Sequence, residues 1–232
     1  MKQLMQHLEK VKKIKRPKHH PLLHHVHKKY GISKKTLFYI KEYGPHSNVS
    51  HTIIKESLKI MLFAAVLSAL GGSALESIKQ VFVTLLPMII LLPVLNDMIG
   101  DFGTIVSSRF STMLHAGEID GQAWWKHKKL RELFAQVLII AVIISIISAG
   151  FALFISNLSD FSVDLITMIK IMLIPVIDSI ILVTVLTFTS ISAGIYYFKK
   201  GEDPNNLLIP ISTSIADLGN MIILASLVLL FF

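Results

Sequence analysis

The stretch LFAQVLIIAVIISIISAGFALFI, residues 133–155, contains no charged side chain. An α-helix rises 1.5 Å per residue, so about 20 apolar residues cross the roughly 30 Å of hydrocarbon in a bilayer. Four further apolar runs are long enough to do the same, at residues 53–71, 81–112, 165–198 and 207–232. The sequence therefore predicts an all-α integral membrane protein with five transmembrane helices, placed in the cell membrane.

The composition agrees with this class. Hydrophobic residues make up 53% of the 232 residues and charged residues only 16%, with a mean hydropathy of +0.63. These values exclude an ordinary water-soluble globular protein. The chain has no cysteine, which excludes disulfides and thiolate metal sites.

The distribution of positive charge predicts the orientation and the domain division. Residues 1–52 hold twelve Lys and Arg against two acids, and positive segments stay in the cytoplasm. With five spans, the N-terminus is predicted to be cytoplasmic and the C-terminus outside. We expect a basic, His-rich tail with a short helix at 1–52 and a five-helix membrane domain at 53–232. The small residues 71–74 are expected to form the outer turn after the first span.

The tail admits two interpretations. Its histidines could form a metal sensor or a nucleotide site, but they show no i,i+4 placement on a predictable helix, because Pro17 and Pro21 interrupt any helix there. The simpler interpretation is an arm that lies on anionic lipid, since each basic residue near such a surface contributes about 1 kcal/mol. Lipid attraction explains the charge, so no nucleic-acid partner is predicted.

Four carboxylates lie inside the apolar runs: Asp97, Asp101, Asp178 and Asp217. A charged side chain at the bilayer centre costs roughly 2.5–3.5 kcal/mol on the most lenient scale. No Lys or Arg lies within seven residues of Asp97, Asp178 or Asp217. Acidic groups without paired cations in a membrane usually line a wet path for a cation.

The first acidic stripe lies in PVLNDMIGDFGTIVSSRFST, residues 93–112. Asp97 and Asp101 are four residues apart and share one helical face with Thr104 and Ser108. Ligands that are all oxygen suit a hard cation such as Mg²⁺, which keeps several of its waters and needs only one or two carboxylates. Zinc fits less well, because its usual His and Cys ligands are missing from the spans.

A second polar stripe opens the last span, where Thr213, Asp217 and Asn220 recur at intervals of three and four residues. Asp178 follows Pro175 by three residues, and the carbonyl that the proline frees could stand beside its carboxylate. The alternative for each acid is a protonated, hydrogen-bonded core group. Four acids, two of them on one face, favour an ion path over that alternative.

Three segments together carry a family resemblance: IGDFGTIVSSRFST at 99–112, KLRELF at 129–134 and EDPNNLLIPISTSIADLGN at 202–220. With them, residues 55–232 resemble the membrane domain of the MgtE divalent-cation transporters and their animal solute-carrier relatives. The resemblance implies five spans, a homodimer, and Mg²⁺ moving between its halves with Asp217 as the central ion-coordinating residue. The chain has Gly100-Asp101 where that family commonly has Gly-Asn, which adds a negative charge.

The hypothesis is a Mg²⁺ channel or transporter that is not an enzyme and that also accommodates Mn²⁺ or Co²⁺. Asp217 and Asp101 would hold a partly hydrated ion. The path would be shaped by Asp97, Asn96, Thr213 and Asp178.

Two alternatives belong to other classes. A membrane-embedded, Mg²⁺-dependent lipid phosphotransferase would use Asp97, Asp101 and Asp120, although its acidic motif has a different spacing. A purely structural membrane protein would keep the acids buried and neutral.

Overall fold

A computed structural model describes residues 49–116, 118–119, 127–200 and 204–232, together with Gln6 and Lys29. These parts form α1 (Val49–Thr84), α2 (Leu86–Ala116), α3 (Lys128–Leu158), α4 (Leu165–Lys200) and α5 (Pro204–Phe231). All five helices are long and apolar enough to cross a membrane, which confirms the predicted number of spans. Apart from Gln6, Lys29 and residues 49–52, the tail lies outside the described residues, as do its short helix and Asp120. The orientation of the termini stays a prediction.

The predicted end of the first span is wrong. Instead of turning at residues 71–74, α1 continues to Thr84, and only Leu85 separates it from α2. A glycine inside a helix costs about 1 kcal/mol at most, so Gly71 and Gly72 do not stop it. Pro87 does stop α1, since its ring would clash with the carbonyl one turn back, whereas the first turn of α2 accommodates a proline readily.

Helix α5 lies at the centre of the fold. It packs against α1, α2 and α4, while α3 packs against α2 and α4. At the α2–α5 contact a Cβ on Gly103 would lie 3.2 Å from the Cβ of Ser212, so this glycine allows a close approach of the two helices. Because α1 contacts α2 only weakly, α5 is the main support of α1.

The connection from α3 to α4 is built by two aspartates. Asp160 has φ 58°, a left-handed conformation that aspartate tolerates better than most residues. Asp164 caps α4, because its Oδ2 accepts hydrogen bonds from the backbone N–H groups of Ile166 (3.1 Å) and Thr167 (3.3 Å). The hydrogen bonds from Thr167 and Ile166 hold the pKa of the Asp164 carboxyl below its ordinary value of 3.8.

We expect Asp164→Ala to lower the melting temperature at neutral pH, because α4 loses its N-terminal cap. A carboxyl whose pKa is lowered by folding stabilises the native state above its unfolded pKa, and this contribution is lost as pH falls through the native pKa. The difference between wild type and Asp164→Ala should therefore persist down to about pH 4 and shrink below it. Thermal unfolding of the purified protein between pH 7 and pH 3 measures this. Asp164→Asn keeps an acceptor oxygen and should lower the melting temperature less than Asp164→Ala at neutral pH. A melting-temperature difference between wild type and Asp164→Ala that does not change with pH would contradict the charge argument.

Candidate functional site

Asp217 lies in the middle of α5 and is half-buried. Two other helices each provide one hydrogen-bond donor to its carboxylate. The side-chain amide of Asn96 in α2 donates to its Oδ1 at 2.9 Å. The hydroxyl of Ser68 in α1 donates to its Oδ2 at 2.8 Å. Each carboxylate oxygen is thus fixed by a different helix.

The network continues by one further step to Asn220, one turn along α5. Its Nδ2 donates to the Oδ1 of Asn96 at 3.3 Å. Asn96 therefore turns its N–H₂ group to the carboxylate and its oxygen to Asn220, which fixes the orientation of its amide. The side chain of Asn220 is fully buried, so this chain of amides leads from the interior to Asp217.

The charge of Asp217 has no counter-ion among the described residues. The ion pairs found there join other, exposed side chains: Lys79–Glu76, Lys128–Glu132 and Lys129–Glu118. A carboxylate offers about four acceptor positions, of which Asn96 and Ser68 occupy two. Asp217 is therefore oriented by neutral donors while its negative charge and part of its acceptor capacity are left available.

Helices α1 and α5 run parallel in a constant register that brings Ser68 to Asp217. Ser57 Oγ donates to the carbonyl of Asn206 at 3.3 Å with a sequence separation of 149, and Ser68 reaches Asp217 with the same separation. Just beyond, a Cβ on Gly71 would lie 2.7 Å from the sulfur of Met221 and 3.3 Å from the Cα of Leu218. The bare backbone at Gly71 lets α1 approach α5 next to the carboxylate.

Asp97 and Asp101 occupy the exposed side of α2, as their four-residue spacing predicts. Together with Asn96 they line a groove of about 910 Å³ between α2 and α3. Its other walls are apolar: Pro93, Val94, Met98, Phe102, Ile105, Ile140 and Ile144. Asn96 belongs to both the groove and the Asp217 network, so it connects the two acidic regions.

The remaining candidates are placed differently. Asp178 in α4 is fully buried, and neither of its oxygens has a hydrogen-bond partner among the described residues. Thr213, one turn before Asp217, donates to the carbonyls of Ile209 (3.0 Å) and Pro210 (3.2 Å) in its own helix. Neither side chain is hydrogen-bonded to the Asp217 network, and their part in an ion path stays a prediction.

Sequence reasoning missed Ser68, and it misjudged Gly71 as part of a turn. Ser68 lies 149 residues from its partner, so no local spacing reveals the contact. The available signal was the small residues Ser68 and Gly71 in an apolar run, since small residues let helices approach closely in membranes.

One comparison with known proteins gives a match. The family model MgtE, described as a divalent cation transporter, matches residues 92–227. Neither a curated protein nor a solved structure matches the chain. The matched stretch contains the acids of α2, α4 and α5 but not α1 with Ser68, and nothing in the comparisons supports the phosphotransferase alternative.

The adjacent glycines of α1 offer a matched test of the α1–α5 contact. Gly71→Val places a side chain against the backbone of α5, and such overpacking typically costs about 1–3 kcal/mol. Gly72→Val is expected to be nearly neutral, since a Cβ there meets no atom within 4 Å. Thermal unfolding of the two purified variants measures the difference, and equal melting temperatures would show that α1 does not approach α5 closely at Gly71.

Proposed function

The chain belongs to the MgtE family of divalent cation transporters, and on that premise we propose that it carries Mg²⁺ along an acidic path between two copies of itself. Asp217 is the central ion ligand in this proposal. The observation that carries it is the unpaired carboxylate of Asp217 in the middle of a membrane-spanning helix, held by two neutral donors from α1 and α2.

The donor chemistry favours a hard, partly hydrated cation. The network around Asp217 contains carboxylate, amide and hydroxyl groups, and Mg²⁺ prefers oxygen ligands and keeps several of its waters. A single protein carboxylate that leaves acceptor positions open is sufficient for such an ion. Mn²⁺ and Co²⁺ accept oxygen ligands of the same kind, so we expect them to compete.

The groove on α2 supports a wet path. At about 30 Å³ per water molecule, its volume of about 910 Å³ has room for an ion with its hydration shell. Asp97 and Asp101 raise the local concentration of cations there through their charge. Asn96 lines this groove and also hydrogen-bonds to Asp217, so the groove reaches the neighbourhood of the central carboxylate.

The exposure of Asp97 and Asp101 supports a dimer. Both lie on the outer side of a membrane-spanning helix, where contact with lipid would cost several kcal/mol for two carboxylates. A two-fold interface brings the same face of each copy together. A second copy bound at this face would therefore replace lipid by a shared aqueous space. The groove of each copy then becomes half of one path.

The driving force for uptake needs no nucleotide. One elementary charge moving down a membrane potential gains about 2.3 kcal/mol per 100 mV. A divalent cation therefore gains about 4.6 kcal/mol per 100 mV, which is sufficient for accumulation.

Asp217→Asn should reduce Mg²⁺ flux into proteoliposomes to the level of protein-free vesicles, because it removes the central charge at nearly constant volume. The flux is followed with a Mg²⁺-sensitive dye under an imposed membrane potential. The matched control is Asp160→Asn, which removes a charge in the exposed α3–α4 connection and should keep wild-type flux. Wild-type flux in the folded Asp217→Asn protein would contradict the proposed role.

The dimer face can be mapped by single cysteines, because the chain contains no native cysteine. Val94→Cys and Ile105→Cys flank the two acids on the groove and should form dimers with a short bismaleimide in membranes. Phe63→Cys on α1, which is 60% exposed and does not line the groove, should remain monomeric under the same conditions. Cross-linking of the two groove variants no stronger than that of Phe63→Cys would place the interface elsewhere.

A further inference from the structure

We propose that Ser68 of α1 is a positioning residue for the cation site, a role that rests on the proposed function of Asp217. Its hydroxyl donates to Oδ2 of Asp217 at 2.8 Å, while Asn96 holds Oδ1. Two donors from two helices fix both side-chain torsions of the carboxylate. The lone pairs that remain then point in a constant direction.

The contact of Ser68 differs from those of its neighbours in α1. Ser73 and Ser77 donate to carbonyls of their own helix, those of Leu70 and Ala74, as serines within helices commonly do. Ser68 instead reaches across to α5. Among the described side chains of α1, the hydroxyl of Ser57 also reaches α5, and both contacts keep the same register.

The packing around Ser68 supports a built contact. At Gly71, about one turn further on, α1 lies close to the backbone of α5, at the level of Asp217 and Leu218. A side chain at Gly71 would hold the helices apart and lengthen the bond from Ser68. Together, Ser68 and Gly71 place a hydroxyl of α1 against the carboxylate of Asp217 in α5.

A hydroxyl suits this position for a chemical reason. It donates one hydrogen bond to the ionised carboxylate without adding a positive charge that would repel a cation. Groups that hydrogen-bond a ligating carboxylate orient it, and their removal typically lowers metal affinity by 10- to 100-fold. Ser68 lies in α1, outside the stretch that matches the family model, so the site extends to a helix that this match does not include.

The test compares four proteins in the proteoliposome flux assay across a range of Mg²⁺ concentrations. Ser68→Ala should raise the concentration for half-maximal flux about 10-fold or more, with a much smaller change in maximal flux. Ser68→Thr keeps the hydroxyl and should restore the wild-type value within a few-fold. Ser73→Ala is the control on the same helix and should behave as wild type.

A binding measurement supplements the flux. Mg²⁺ should raise the melting temperature of the wild-type protein, and Ser68→Ala should need correspondingly more Mg²⁺ for the same shift. If Ser68→Ala does not fold, Ser68→Cys, which keeps a similar volume with only a weak donor, replaces it with the same expected direction. Alanine is a strong helix former, so a folded Ser68→Ala protein is expected.

The outcomes separate the two proposals. If Asp217→Asn abolishes flux while Ser68→Ala matches Ser73→Ala in half-maximal concentration, the role of Ser68 is overturned and the proposed function stands. If Asp217→Asn leaves flux unchanged, the proposed function itself fails. A higher half-maximal Mg²⁺ concentration in both Ser68→Ala and Ser68→Thr would also overturn the proposal, because the hydroxyl would then not be the cause.

Discussion

An unpaired carboxylate in the middle of a membrane-spanning helix is the constraint on which this structure depends. Asp217 has no basic partner among the described residues, and only an amide and a hydroxyl are bonded to it. Hydrogen bonds to a charged acceptor are stronger than neutral ones, yet two of them do not replace full hydration. In the proposed function, a cation with its water shell would occupy the acceptor positions of Asp217 that Asn96 and Ser68 leave open.

The arrangement of the helices brings those two donors to Asp217. Helix α5 packs against both α1 and α2, and each of these helices provides one donor. Ser57 and Ser68 lie about 16.5 Å apart along α1, at 1.5 Å per residue. Because α1 and α5 keep a parallel register, each of the two hydroxyls bonds to a residue of α5. Asn220 of α5 also donates a hydrogen bond to Asn96 of α2, which keeps the Asn96 amide in the orientation that the carboxylate requires.

The sequence predicts the spans because apolar length alone determines which helices can cross a bilayer. It also predicts that Asp97 and Asp101 share a face, since that relation is local to one helix. It fails at residues 71–74, where the two glycines resemble a turn but lie inside α1, and where Gly71 allows close packing against α5. It does not reveal Ser68, whose contact with Asp217 exists only once two helices distant in sequence are placed in parallel register. The part of Asp178 in an ion path stays a prediction.

The central claim is that a divalent cation binds at Asp217 without displacing Asn96 and Ser68. The most direct measurement is a structure determined in lipid nanodiscs with Mn²⁺, which has oxygen ligands like Mg²⁺ and is easier to identify by its anomalous scattering or density. We expect metal within coordination or one-water distance of the Asp217 carboxylate, with the two donors still bound to it. Metal located only elsewhere, with the Asp217 side chain enclosed in a dry interior, would contradict it.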